Sequence, residues 1–108
     1  MYNQFNINDE RLDMTKTYIL EYLTSHKEEI FQKFSLSSMG LFGSYATGHA
    51  NDDSDIDILI ESEKKDFFLR DDLREYLQNV FGKAVDVGYV DSVRKYYKKK
   101  IDQEIVYV

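Results

Sequence analysis

Two aspartates one residue apart, Asp55 and Asp57, open the stretch DIDILIE at residues 55–61, and a Gly43-Ser44 pair precedes them by ten intervening residues. Successive side chains on a strand point to opposite faces. Ile56, Ile58 and Ile60 therefore share one face and can bury. Asp55 and Asp57 share the other, roughly 6 to 7 Å apart by strand rise. That spacing suits carboxylates bridging two metal ions about 3.5 to 4 Å apart in a phosphoryl-transfer site. Oxygen ligands favour Mg²⁺, a hard ion that keeps water and substrate phosphate in its shell. A glycine upstream lets the backbone approach a phosphate, and a serine offers both its N–H and its hydroxyl as donors. The competing reading is a polar strand end facing water, the ordinary fate of a short acidic cluster.

Two other motifs fail on inspection. A calcium loop of the EF-hand type starting at Asp53 needs Gly where Ile58 stands and Glu where Lys64 stands. The segment GSYATGHA, residues 43–50, has the glycine spacing of a P-loop, but His49 and Ala50 occupy the positions reserved for Lys and Ser or Thr.

A third carboxylate comes from KAVDVGYV, residues 83–90, which reads as a strand with Val85, Val87 and Tyr89 on one face and Ala84, Asp86 and Gly88 on the other. Asp86 thus stands between two of the smallest side chains, on a shelf open to a ligand. If this strand lies beside 55–61, Asp55, Asp57 and Asp86 converge on one sheet face next to the Gly43-Ser44 turn. Three adjacent carboxylates raise one another's pKa unless a cation neutralises them. The cluster makes chemical sense holding Mg²⁺, with one aspartate near the attacking hydroxyl and able to accept its proton.

The elements that position these residues follow from periodicity. Asn8 or Asp9 can cap a helix carrying Leu12, Ile19, Leu20 and Leu23 on one side. Ser25 with Glu28 forms a capping box, so the helix breaks near Thr24 and restarts to bury Ile30, Phe31 and Phe34. A short apolar run at 39–42 is the first strand, followed by a turn or helical piece over 45–53. The spacing of Leu69, Leu73, Leu77 and Val80 predicts a helix over 65–81 that Gly82 ends. Asp91 caps a last helix with Val93, Tyr97, Ile101 and Ile105 at four-residue steps, and 106–108 adds an edge strand. The fold class is α+β, an α/β sandwich with helices packed on a small mixed sheet, in one domain over 1–108.

Composition narrows the function. Hydrophobic content of 43% fits a globular domain, no apolar run spans a bilayer, and the start of the chain is unlike a signal peptide, so the expected location is cytoplasmic. With no cysteine and only His26 and His49, thiolate and histidine-rich metal centres are excluded. A net charge of −6 argues against strong direct nucleic-acid binding. Lys95, Lys98, Lys99 and Lys100 read as the solvated face of a helix. Nine tyrosines and seven phenylalanines are expected for the most part to fill the core.

The segment LFGSYATGHANDDSDIDILIE, residues 41–61, resembles the G-S-x10-D-x-D signature of the DNA polymerase β-type nucleotidyltransferase superfamily, and within it the minimal nucleotidyltransferases, or MNT proteins. The likeness extends over about residues 38 to 108. It implies the polymerase β-like nucleotidyltransferase fold, with Gly43 and Ser44 holding a nucleoside triphosphate. Asp55 and Asp57 would bind a pair of Mg²⁺ ions, and Asp86 would be the third metal-binding and catalytic carboxylate. Such enzymes transfer a nucleoside monophosphate, usually AMP from ATP, to a hydroxyl and release pyrophosphate. Many MNT proteins carry arginine where Thr47 stands, so charge neutralisation at the triphosphate is weaker here. His49 and Lys83 are the candidates to replace it, although each fits an ordinary surface position as well.

The resemblance also implies a role and a partner. MNT proteins are similar to antitoxins encoded beside HEPN-type RNase toxins, some of which modify a tyrosine hydroxyl of the toxin with AMP. The expected function is that of an ATP- and Mg²⁺-dependent protein adenylyltransferase antitoxin forming a hetero-oligomer with its toxin. The alternatives are an antitoxin that acts by occlusion alone, and a small-molecule nucleotidyltransferase of the aminoglycoside-modifying kind, for whose acceptor pocket 108 residues leave little surface.

Overall fold

Four strands form one mixed sheet: β1 (Leu36–Phe42), β2 (Ile56–Ser62), β3 (Val85–Tyr89) and β4 (Val106–Tyr107), in the order β3-β2-β1-β4. β1 pairs antiparallel with both β2 and β4, whereas β2 and β3 run parallel. Among the described residues five helices accompany them: α1 (Lys16–Ser25), α2 (Lys27–Phe34), α3 (Gly43–Thr47), α4 (Phe67–Phe81) and α5 (Val90–Glu104). This computed structural model describes residues 14–108; the helix cap expected at Asn8 or Asp9, and Leu12, lie outside them.

The alternation in β2 and β3 sets which face is buried. Ile56, Ile58 and Ile60, with Val85, Val87 and Tyr89, form the floor of the main core. Ile19 and Leu23 of α1, Ile30 and Phe34 of α2, and Leu73 and Leu77 of α4 close over them. Each fully buried aliphatic side chain contributes about 1.5 to 3 kcal/mol by leaving water. The opposite face has a smaller apolar cluster, in which Leu59 meets Val90 and Ile101 of α5. That cluster covers only part of the face and leaves its Asp57 end accessible.

Helix ends follow local chemistry. The Asp66 side chain accepts from the backbone N–H groups of Phe68 and Leu69, at 2.9 and 3.3 Å, and so starts α4. Gly82, at φ 65°, ends it by donating to Gln78 O at 2.8 Å.

Three expectations need correction. The Ser25 and Glu28 capping box does not form: α1 includes Ser25, and the junction is His26, which has no side-chain cap. There the His26 ring stacks on Tyr22 with centroids 4.0 Å apart, and its Nδ1–H donates to Tyr22 O at 2.9 Å, an arrangement that replaces the box. Asp91 lies one residue inside α5 and does not cap it, because β3 runs straight into the helix with Tyr89 as N-cap. Asp91 instead puts negative charge in the first turn, where the helix dipole favours it. Most rings of the described residues, eight of fourteen, do pack in or against the core, with Phe67, Phe68, Tyr96 and Tyr97 among the six exposed, so the third correction is Tyr97. Tyr97 leaves the expected stripe because its backbone is non-helical, at φ −134° and ψ 35°. The kink is bridged by Asp102, which accepts from Arg94 at 3.0 Å and Lys98 at 2.9 Å.

Candidate active site

Parallel pairing of β2 with β3 puts Asp57 opposite Asp86, between the pairs Ile56 with Val85 and Ile58 with Val87. Paired residues on neighbouring parallel strands point to the same face, about 4.8 Å apart at the backbone. Asp57 and Asp86 are therefore neighbours on the face away from the main core. Asp55 precedes the strand: the first ladder bond is Ile56 N–H to Ala84 O, at 3.0 Å. The ladder makes Asp57 and Asp86 neighbours, Asp55 lies one residue before it, and the electrostatic signature of the group is on Asp57. Burial raises the Asp57 carboxyl above its usual range, and the charges of Asp86 and then Asp55 push it further.

The Gly43-Ser44 turn meets this cluster because the last residue of β1, Phe42, is the antiparallel partner of Asp57. Gly43 has φ 75°, and a Cβ built on it would overlap the Asp57 carboxylate, with Asp57 Cγ at 3.1 Å and Cβ at 3.3 Å. Only glycine leaves both the left-handed backbone and the carboxylate undisturbed. Ser44 follows in α3, which Gly48 closes in the left-handed region at φ 84°.

The residues around this turn are tied together. Thr47 Oγ1 has one proton, shared between Gly43 O at 3.2 Å and Ser44 O at 3.4 Å. It can therefore only accept from His49 Nδ1–H, 3.1 Å away. The His49 backbone N–H donates to Ser44 O at 2.9 Å. Lys83 Nζ donates to Asp52 O at 2.8 Å and lies 6.0 Å from the centre of the Tyr45 ring. Both side chains considered as replacements for arginine, His49 and Lys83, are thus engaged within the protein.

Among the described residues no three His, Cys, Asp or Glu side chains are gathered as a ready-made metal cage. The paired carboxylates of Asp57 and Asp86 are a donor set that suits Mg²⁺, which is usually held by one or two carboxylates and completed by phosphate and water. Burial and then the charges of Asp86 and Asp55 raise Asp57, and a divalent cation would offset the repulsive part. Two features were not foreseen in the sequence: the apolar cluster around Leu59 and the reach of Lys83 to Asp52. Leu59 carries a signal, an apolar residue on the Asp57 side of an alternating strand. The lysine carries none, since its partner is a backbone carbonyl 31 positions away.

A glycine turn set against paired carboxylates on a small mixed sheet is the architecture of a nucleotidyl-transfer domain. Over residues 23–108 the chain matches the nucleotidyltransferase domain family, and it belongs to that family. It is 38% identical over 96 residues to the protein adenylyltransferase MntA of Thermococcus cleftensis, a match covering 88% of this chain and 97% of that protein. A solved minimal nucleotidyltransferase superposes with TM-score 0.67 at 22% identity, covering 87% of this chain and 96% of the other. A complex of a tri-AMPylated Shewanella oneidensis HEPN toxin with its MNT antitoxin superposes with TM-score 0.59 at 19% identity, covering 81% and 69%. These likenesses agree with the expected fold. No helix of the described residues is long and apolar enough to cross a membrane.

Proposed function

We propose that this chain transfers AMP from ATP to a tyrosine hydroxyl of a HEPN-type RNase toxin, and that the modification silences the RNase. The observation that carries the reading is the register pairing Asp57 with Asp86 directly beside Gly43. Gly43 and Ser44 cradle the triphosphate, with the Ser44 hydroxyl and backbone N–H donating to its oxygens. Asp55, Asp57 and Asp86 would hold Mg²⁺, which when bound neutralises phosphate charge and polarises the transferred phosphoryl group. Asp86, exposed at the edge of the cluster, takes the proton of the acceptor hydroxyl. The hydroxyl oxygen forms a bond to the α-phosphorus, the bond from that phosphorus to the β-phosphate bridging oxygen breaks, and pyrophosphate leaves. The HEPN toxin found in complex with a structurally similar MNT antitoxin supports the partner, and the adenylyltransferase relative supports the nucleotide.

The test is direct. Purified chain, the HEPN-type RNase encoded beside it, ATP and Mg²⁺ are incubated, and the toxin is weighed by mass spectrometry. An AMP-sized increase that Asp57→Ala abolishes is expected. No increase with wild type, or an equal increase with Asp57→Ala, overturns the proposal.

A second reading is occlusion without catalysis, favoured by the Thr47 hydroxyl, which is spent on the turn's own carbonyls and offers no charge to a triphosphate. It is distinguished by Asp55→Asn, which then leaves neutralisation of the toxin intact while AMP transfer is undetectable.

A further inference from the structure

We infer that Lys83 is a positioning residue that fixes the three site-bearing segments relative to one another, an inference that rests on the transferase reading for its consequence in activity. Three separate pieces of chain meet at its ammonium group. Lys83 itself lies three residues before Asp86, in the turn from α4 into β3. Asp52, whose carbonyl accepts from Nζ at 2.8 Å, lies three residues before Asp55. Tyr45, whose ring centre is 6.0 Å from Nζ, follows Ser44 directly and is buried. One side chain thus touches the immediate neighbourhoods of Asp86, Asp55 and Ser44.

Such a contact matters most for Asp55. Asp57 and Asp86 lie within the paired strands and inherit their positions from the ladder. Asp55 lies outside it, at the end of a turn that is closed on itself. In that turn Ser54 N–H donates to Asn51 O at 3.0 Å, Asn51 N–H to Ser54 Oγ at 2.8 Å, and Asp53 N–H to Asn51 Oδ1 at 2.8 Å. These bonds hold the turn's shape but do not hold it to the rest of the protein. Among the described residues, the Lys83 bond to Asp52 is the hydrogen bond that ties residues 51–54 to a distant part of the chain. The contacts Lys83 makes are to a backbone carbonyl and an aromatic ring rather than to these carboxylates. Its contribution is placement, of the kind that outer-shell groups supply to ligands.

The experiment compares wild type with Lys83→Met, which keeps the apolar stem and removes the ammonium, and Lys83→Arg, which keeps a cation. Amide hydrogen exchange is followed by NMR on the full chain without metal or nucleotide. Lys83→Met is expected to speed exchange of the Asn51 and Ser54 amides about tenfold, leaving the β1 and β2 amides unchanged, and Lys83→Arg to restore most of the protection. In the transfer assay Lys83→Met is expected to raise the Mg²⁺ concentration for half-maximal rate by about 10-fold, the scale of outer-shell losses, with smaller change at saturating Mg²⁺. Unchanged exchange in Lys83→Met, or equal loss in both variants, overturns the inference. If wild type transfers no AMP, the transferase reading fails and the exchange result still decides the placement of the turn.

Discussion

Replacing Gly43 by alanine tests whether the phosphate turn and the carboxylate cluster are one structural unit. Two costs add. Alanine in the left-handed region at φ 75° loses about 1 to 2 kcal/mol relative to glycine. Its methyl group also overlaps the Asp57 carboxylate, which has to swing off its preferred rotamer at about 1 kcal/mol more. Gly82 supplies the control: it has φ 65° at the end of α4, and a Cβ there meets nothing within 4 Å. Urea unfolding should therefore show Gly43→Ala losing roughly 2 to 3 kcal/mol and Gly82→Ala only 1 to 2. The excess should disappear in an Asp57→Ala background, so a double-mutant cycle reads the coupling without any assay of function. AMP transfer should fall by about 100-fold in Gly43→Ala, the scale set by ångström misplacement of a reacting group, and stay near wild type in Gly82→Ala. Equal stability losses at the two glycines, with no coupling to Asp57, would refute the packing of the turn against the carboxylate.

Two further outcomes are expected. Asp57→Asn should stabilise the metal-free protein at pH 7 even though it removes a site residue. Carboxylates on adjacent strands about 5 Å apart, screened at a half-exposed position, repel by about 1 kcal/mol. Because the folded Asp57 carboxyl is raised, this cost is absent where both states are protonated and appears as pH rises through the folded value. The gain seen by urea unfolding at pH 7 should therefore shrink as the pH is lowered toward about 4; a gain independent of pH, or a loss, contradicts the charge cluster. Asp66→Ala should cost about 1 kcal/mol by leaving the Phe68 and Leu69 amides uncapped, with AMP transfer per folded molecule unchanged.

What could be read from the sequence is what one strand or helix decides by itself. The isoleucines of β2 and the valines of β3 bury because alternation leaves them no other face, and the same alternation sends Asp57 and Asp86 outward. Gly82 ends α4 because its left-handed backbone is a local requirement. Contacts between distant segments were legible only as conditions. Nothing in Ser25 or Glu28 tells that Tyr22 will take the His26 ring, and nothing in Tyr97 tells that α5 bends there. Asp91 looks like a cap because Asp favours that position, but β3 enters α5 without a loop and moves the cap to Tyr89. The pairing of Phe42 with Asp57, which brings Gly43 to the carboxylate, is likewise long-range.

The register that aligns Asp57 with Asp86 is a consequence of chain lengths. β2 has 7 residues and so spans about 23 Å at 3.3 Å per residue. α4 has 15 and spans about 22 Å at 1.5 Å per residue. Running antiparallel to β2 across the back of the sheet, a helix of that length returns the chain to the level where β2 began, and β3 then starts beside Ile56. Both strands place an aspartate directly after their first buried residue, Ile56 then Asp57 and Val85 then Asp86. Matching the lengths of strand and helix therefore matches the carboxylates. A slip of one residue would turn Asp86 into the apolar core, where an unpaired charge is far more costly than repulsion at the surface. Hydrophobic burial of Val85, Val87 and Tyr89 thus holds the charges of Asp57 and Asp86 together against their own repulsion.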